Sequence, residues 1–425
     1  MSRFLIRGDI VYSETQDHLF TQKDAYLDIQ DATVQGVYTT LPSSLQGVPV
    51  HDYSGQLVIP GLTDLHLHAP QYAFRGMWMD EELLDWLNRH TFPIEARYAD
   101  AAFAKNAYRI FQQDLRKSAT TRAVMFSTIH ADATVQLMEL MEGSGLVTYV
   151  GKVNMDRNSP DILREATAKE AVDDTLRWID EVTGRFQRTL PILTPRFIPS
   201  CTDELMEGLG EIAKSRHLPV QSHLSENFSE IDWVRNLCPW SLNYGDAYDR
   251  FGLFGSEGRA VMAHCVHSPD EEIRLMKERG TFVAHCPDSN ANLASGIAPV
   301  RRYLDEGIRM GLGTDVAGGA TISLFSSIRD AVQQSKLRWR LQDGGLPWLT
   351  FAEAFYLATA GGGAFFGKVG RFEKDYEADV LILDEQGIPT PLMEELTIAE
   401  RLERFIYLGH EGSVLHKYVR GEKLF

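Results

Sequence analysis

The sequence predicts an α/β protein: a (β/α)8 TIM-like barrel carrying a small discontinuous β-sandwich domain assembled from both termini. Three observations point there. Apolar runs alternate with amphipathic stretches from about residue 59 to 370, the pattern of a parallel βα architecture. Both ends of the chain read instead as short β-strands. Titratable residues gather at the ends of the predicted middle strands, where a barrel keeps its active site.

The 425-residue chain is long enough for one large core plus a minor domain. At its start, Phe4-Leu5-Ile6, Ile10-Val11-Tyr12 and Ala25-Tyr26-Leu27-Asp28-Ile29 are separated by Gly, Asp and Gln turns. At its end, Ala378-Asp379-Val380-Leu381-Ile382-Leu383 and Val414 to Gly421 read the same way. Residues 1–58 and 371–425 therefore predict one β domain, and residues 59–370 the barrel. Eight candidate strands end near His68, His130, Asp156, Phe197, Glu226, His267, Asn290 and Asp315. Helices fill the gaps; Asp203 to Ala213, for example, has apolar residues at helical spacing. Neither an internal repeat nor a low-complexity linker interrupts the pattern.

Composition narrows the function classes. Hydrophobic residues make up 44% and charged residues 24%, as in an ordinary soluble globular protein. A net charge of -17 disfavours nucleic acid as a partner, because phosphate binding needs clustered Lys and Arg. It equally disfavours anionic membrane surfaces. The first residues carry no secretory pattern, and no run approaches the ~18 apolar residues of a membrane span. The four cysteines form no Cys-x-x-Cys pair, so reduced, buried thiols and a cytoplasmic location are expected.

Pro60-Gly61-Leu62-Thr63-Asp64-Leu65-His66-Leu67-His68 closes the first barrel strand. Residues two apart share a strand face, so His66 and His68 both point into the barrel mouth. Alone, such a pair is more often surface or packed histidine. Later strand ends change the balance. Strand five brings His223, strand six His264, and strand eight Asp315. These donors suit a first-row divalent metal, zinc and iron alike.

The ordered set Pro-Gly-x-x-Asp-x-His-x-His, His-x-x-Glu, Ala-His-Cys and Gly-Thr-Asp resembles the amidohydrolase superfamily over essentially the whole chain. The resemblance implies that His66, His68, His223 and Asp315 ligate one divalent metal, Zn2+ or Fe2+. It makes His264 the residue that orients or polarises the reacting water. Two-metal members usually carry a bridging lysine at the end of strand four, which here reads Thr194-Pro195-Arg196-Phe197. Lys152, on strand three, is read as an ordinary surface or packing residue. A mononuclear site follows, as in the aminohydrolase branch, which exchanges a ring amino group for oxygen. Glu226, three residues after His223, is a natural shuttle carrying a proton from water to a ring nitrogen; its alternative is a solvent-facing carboxylate. Asp315 doubles as ligand and proton acceptor. The His-x-Glu and Pro-Cys-x-x-Cys pattern of the cytidine deaminases is absent.

The loop His68-Ala69-Pro70-Gln71-Tyr72-Ala73-Phe74-Arg75-Gly76, continuing through Asp85-Trp86-Leu87 to His90-Thr91-Phe92-Pro93-Ile94-Glu95, resembles the guanine deaminase family. So do Thr194-Pro195-Arg196-Phe197, Ala284-His285-Cys286-Pro287-Asp288-Ser289-Asn290 and Gly313-Thr314-Asp315-Val316-Ala317-Gly318-Gly319. Pro70 and Asp288 depart from the family's pattern. The resemblance implies hydrolysis of guanine to xanthine and ammonia, in a homodimer. A purine carbonyl needs a donor, and Arg196 offers a rigid fork of them. Gln71 donates and accepts at once, and Phe197 offers a stacking face. With His223, Glu226 and Asp315 they form the expected substrate pocket. On the residues alone, a surface ion pair for Arg196, core packing for Phe197 and a loop hydrogen bond for Gln71 stay open. The rival functions are an aminohydrolase for a triazine, pterin or adenosine-like ring, and a non-catalytic scaffold on the same fold.

Overall fold

The computed structural model describes residues 3–256 and 258–425. The chain opens with β1 (Arg3–Ser13), β2 (Leu19–Gln30), β3 (Thr33–Tyr38) and β4 (Val50–Pro60). β1 pairs antiparallel with β2 and parallel with β4. Two short strands expected here are one, with a register shift between Gly8 and Ile10. A Cβ on Gly8 would stand 2.5 Å from a Val58 methyl, so only glycine lets β1 lie this close to β4.

After β4 the chain passes through Gly61 into β5 (Leu62–His68). There a Cβ would lie 2.3 Å from the Thr121 side chain. β5, β6 (Thr120–Phe126), β7 (Val147–Gly151) and β9 (Thr189–Pro191) form one parallel sheet. β8 (Val153–Asn154) and β10 (Thr194–Pro195) make a short pair. β11 (Val220–Leu224), β12 (Ala260–His264), β13 (Phe282–His285) and β14 (Met310–Leu312) form the second parallel sheet. The halves meet at two seams. At one, Gln221 N–H donates to Leu193 O at 2.9 Å. At the other, Asp315 N–H donates to His66 O at 2.9 Å and His68 N–H to Val316 O at 3.1 Å. Together they close the ring of strands. Every residue of β5 and β6 is buried, as expected of strands covered on both sides.

Helices join the strands and bury one stripe each. In Ala101–Lys117 the buried positions are Ala104, Tyr108, Phe111 and Leu115, and the Asp100 side chain caps its first turn. Each large side chain so buried contributes about 1.5–3 kcal/mol. Asp203–Arg216 is capped by Thr202 and buries Leu205, Met206, Leu209, Ile212 and Ala213.

Past the barrel, β15 (Val380–Leu383), β16 (Val414–Val419) and β17 (Glu422–Lys423) return to the first strands. The small domain is one continuous seven-stranded sheet, β17-β16-β15-β4-β1-β2-β3. It has its own core, built around Phe4, Ile6, Leu27, Val380 and Tyr418. The helix Ile398–Leu408 interrupts the C-terminal strands, where the sequence reading had only β structure. All four cysteines are free and buried, and no helix among the described residues is long and apolar enough to cross a membrane.

Candidate active site

The predicted strand ends mark the barrel mouth, although several lie beyond the ladders. His130 follows β6 by four residues as the residue before the helix Ala131–Ser144. Asn290 sits on the short helix Pro287–Asn292. His66 and His68 do share a face of β5, with ring centroids 4.9 Å apart, and are 1% and 3% exposed.

Hydrogen bonds fix the state of the next two imidazoles. His223 Nδ1 lies 2.6 Å from the Arg196 carbonyl. A carbonyl only accepts, so Nδ1 carries the hydrogen and Nε2 keeps a bare lone pair. That Nε2 stands 3.1 Å from His68 Nε2. Asp315 Oδ1 lies 3.1 Å from His66 Nε2 and 3.4 Å from His68 Nε2. His264 Nδ1 faces Asn290 Oδ1 at 2.9 Å; its Nε2 lies 3.4 Å from Glu226 Oε2 and 3.8 Å from Asp315 Oδ2.

Burial lowers the basicity of His66, His68 and His223, leaving the neutral imidazoles that metals require. Burial works to raise the Asp315 carboxyl, yet the rings of His66, His264 and His68 hold it well below the usual carboxylate range. Burial opposes protonation of His264, but the charges of Glu226 and Asp315 raise it overall. Burial pushes Glu226 up, and Asp315 adds to this against the pull of His264.

This donor set fits a single divalent ion. Metal–nitrogen bonds of about 2.1 Å in a tetrahedron put the ligand atoms about 3.4 Å apart, and the spacings above are close to that. His66, His68 and Asp315 converge as one trio and His66, His223 and His264 as another, so His264 stands beside the ligand set. Lys152 is not at the surface. It is 1% exposed and pairs with Glu165 at 2.5 Å, outside the cavity.

That cavity, counted together with its open entrance, offers about 400 Å³ of space free of protein atoms. His68, His223, His264, Glu226 and Asp315 line its floor, with Gln71, Arg196 and Phe197 beside them. Every residue expected at the site except His66 lines this cavity, and His66 Nε2 reaches Asp315 Oδ1 at 3.1 Å. Sequence reasoning gave no role to Leu83, Trp86 and Leu87, which supply an apolar wall, nor to Glu230, which also faces the cavity. It also missed Ser295, whose hydroxyl donates to Glu226 Oε1 at 2.9 Å. Arg196 is 2% exposed and ion-paired to Glu95 at 2.6 Å, so the surface reading of it fails. An acid closing the apolar run Thr91-Phe92-Pro93-Ile94 was the available signal for Glu95. The two departures are structural: the Pro70 carbonyl accepts from Tyr98, and Asp288 accepts from Ala320 N–H at 2.7 Å.

The model of the amidohydrolase family matches residues 57–424. The chain belongs to the amidohydrolase family. Its curated relatives include the guanine deaminase of Dictyostelium discoideum, 39% identical, covering 88% of this chain and 84% of that one. The guanine deaminase of Homo sapiens is 36% identical, covering 99% and 96%. Among solved structures, the guanine deaminase from C. acetobutylicum with bound guanine in the active site is 44% identical, with a TM-score of 0.97 and full coverage of both chains. These matches span the amidohydrolase barrel and the small sheet alike.

Proposed function

We propose that the site converts guanine and water to xanthine and ammonia. What supports this most is that one cavity combines a metal-fitting His and Asp set, a buried carboxyl beside it, and a wall bearing Arg196 and Gln71. The relatives named above point to the same base.

His66, His68, His223 and Asp315 would hold the ion, and a divalent metal there supplies Lewis acidity that lets water ionise near neutral pH. Zinc is the metal we infer, because neutral imidazoles with one carboxylate suit it, as they suit Fe2+. Glu226 takes a proton from the water and delivers it to the ring nitrogen beside the amino-bearing carbon. Burial raises its carboxyl, which favours holding the proton between the two transfers. The water oxygen bonds to that carbon, the carbon–nitrogen bond breaks, and the amine leaves as ammonia after gaining the second proton. His264 steadies Glu226 and Asp315, and Asp315 accepts the water's remaining proton.

Arg196 and Gln71 face the carbonyl edge of the base, with Phe197 against the ring. Adenine carries an amine in place of that carbonyl, which leaves buried donors unpaired at a cost of ~1–3 kcal/mol. A homodimer in the cytoplasm completes the proposal, from the family resemblance and the reduced thiols.

The test is ammonia release from a panel of guanine, adenine, a triazine and a pterin, with metal measured on the same sample. Guanine alone should turn over rapidly. Rapid turnover of another ring with none of guanine overturns the substrate. Glu226→Gln should keep its metal and lose ~10²–10⁴-fold in kcat; near-normal activity removes Glu226 from the chemistry.

A further inference from the structure

Behind the cavity wall lies a carboxylate that touches no metal ligand and has no part in the steps above. Glu95 is 1% exposed and ends the short helical segment Phe92–Glu95. Its Oε2 accepts from Arg196 Nη1 at 2.6 Å, and its Oε1 from Arg196 Nη2 at 3.2 Å. Oε1 also accepts from Gln71 Nε2 at 2.9 Å. The guanidinium lies over the Phe92 ring, 5.0 Å from its centroid. One acid therefore ties together two cavity residues that come from different strand ends.

We infer that Glu95 is the positioning residue that gives the cavity its preference for an uncharged ring bearing a carbonyl. The inference rests on the function proposed above. Two geometric facts carry it. First, a carboxylate only accepts, so the Gln71 atom facing Glu95 is the amide nitrogen. The Ala317 N–H only donates, and it faces Gln71 Oε1 at 3.3 Å. Both neighbours thus fix the same orientation of the amide. Gln71 presents one N–H and one lone pair to a ligand and cannot exchange them. Second, Glu95 takes one N–H from each Arg196 terminal nitrogen. The remaining donors keep a set direction, which rigid recognition of a carbonyl needs. The pair is also neutral overall. An unpaired buried guanidinium would favour an anion; the compensated one suits a neutral base.

Glu95→Gln keeps the shape and removes the charge. Its readout is a pair of inhibition constants, for hypoxanthine, which has the carbonyl, and for purine, which lacks it. Hypoxanthine should weaken ~10-fold or more and purine less than ~3-fold. KM for guanine should rise ~10-fold or more with kcat within ~3-fold. Equal weakening of both ligands, or of neither, overturns the inference, because a merely structural loss does not single out one ring edge. If Glu95→Gln does not fold, Glu95→Asp, which keeps the charge and shortens the arm, is judged on the same two constants. The constants are measured against whichever amine the wild type hydrolyses. A failure of the guanine assignment is thereby distinguishable from a failure of the Glu95 role.

Discussion

Glu226 and Glu230 stand four residues apart, on either side of the start of the helix Phe228–Leu237, and burial raises both carboxyls. Glu230 reaches about 7, by burial first and then by the charge of Glu226. Its carboxylate also accepts from Glu226 N–H at 3.1 Å and from the Tyr244 hydroxyl at 2.8 Å, so it braces the turn that carries the proposed proton shuttle. The folded chain holds this proton more tightly than the unfolded one. The associated stability is therefore fully present below the ordinary glutamate value of 4.5 and lost as pH rises through about 7. Glu230→Gln should remove that component, worth up to about 3 kcal/mol. Denaturant melts of both proteins across the window check it; a pH-independent difference excludes the titration. At this scale His66 and His68 could be read from the sequence because strand alternation alone puts them on one face. Glu95 left only the trace of an acid closing an apolar run; its role was hidden, since its partners lie 24 and 101 residues away.

The helix Asp203–Arg216 was expected from its apolar spacing, but not the close contact it makes. A Cβ on Gly210 would stand 2.0 Å from the Phe251 carbonyl oxygen, a backbone atom with little room to move. Gly210→Ala should therefore destabilise by ~1–3 kcal/mol, against the ~1 kcal/mol alanine gains inside a helix. Thermal unfolding checks the sign; an unchanged or higher midpoint shows that the loop yields. Strand ends were misjudged for a related reason. Apolar patterning marks which segments are strands, but the ladder stops where the partner strand turns away. The helix Ile398–Leu408 did leave a local trace: Thr397 and Glu400 form a reciprocal cap at its start.

Across the whole molecule, the alternation of apolar and amphipathic segments was enough to read the fold class, and the two β ends foretold the shared sheet. What ties sheet to barrel was hidden. Arg122, on the inlet half of β6 and 2% exposed, bonds Asp379 at 2.7 Å and Glu377 at 2.8 Å. Burial opposes its charge, but the two acids hold it firmly protonated. Arg122→Met leaves Asp379 buried without its partner and should cost ~3–5 kcal/mol. Because Arg122 lies away from the mouth, kcat per folded molecule should stay near normal. A stability loss under ~1 kcal/mol would mean that the joint holds without the pair.

The order of strands in the small sheet bears on how the chain is made. β4 lies between β1 and β15, yet β4 ends at Pro60 and β15 begins at Val380. During synthesis the ribosome releases the first strands long before the neighbour that completes them. Until Val380 emerges, β4 presents a bare row of amide and carbonyl groups, an invitation to pair with other chains. A message truncated within the barrel would encode a nascent protein with that edge left permanently open, so aggregation, rather than a soluble inactive fragment, is its expected fate.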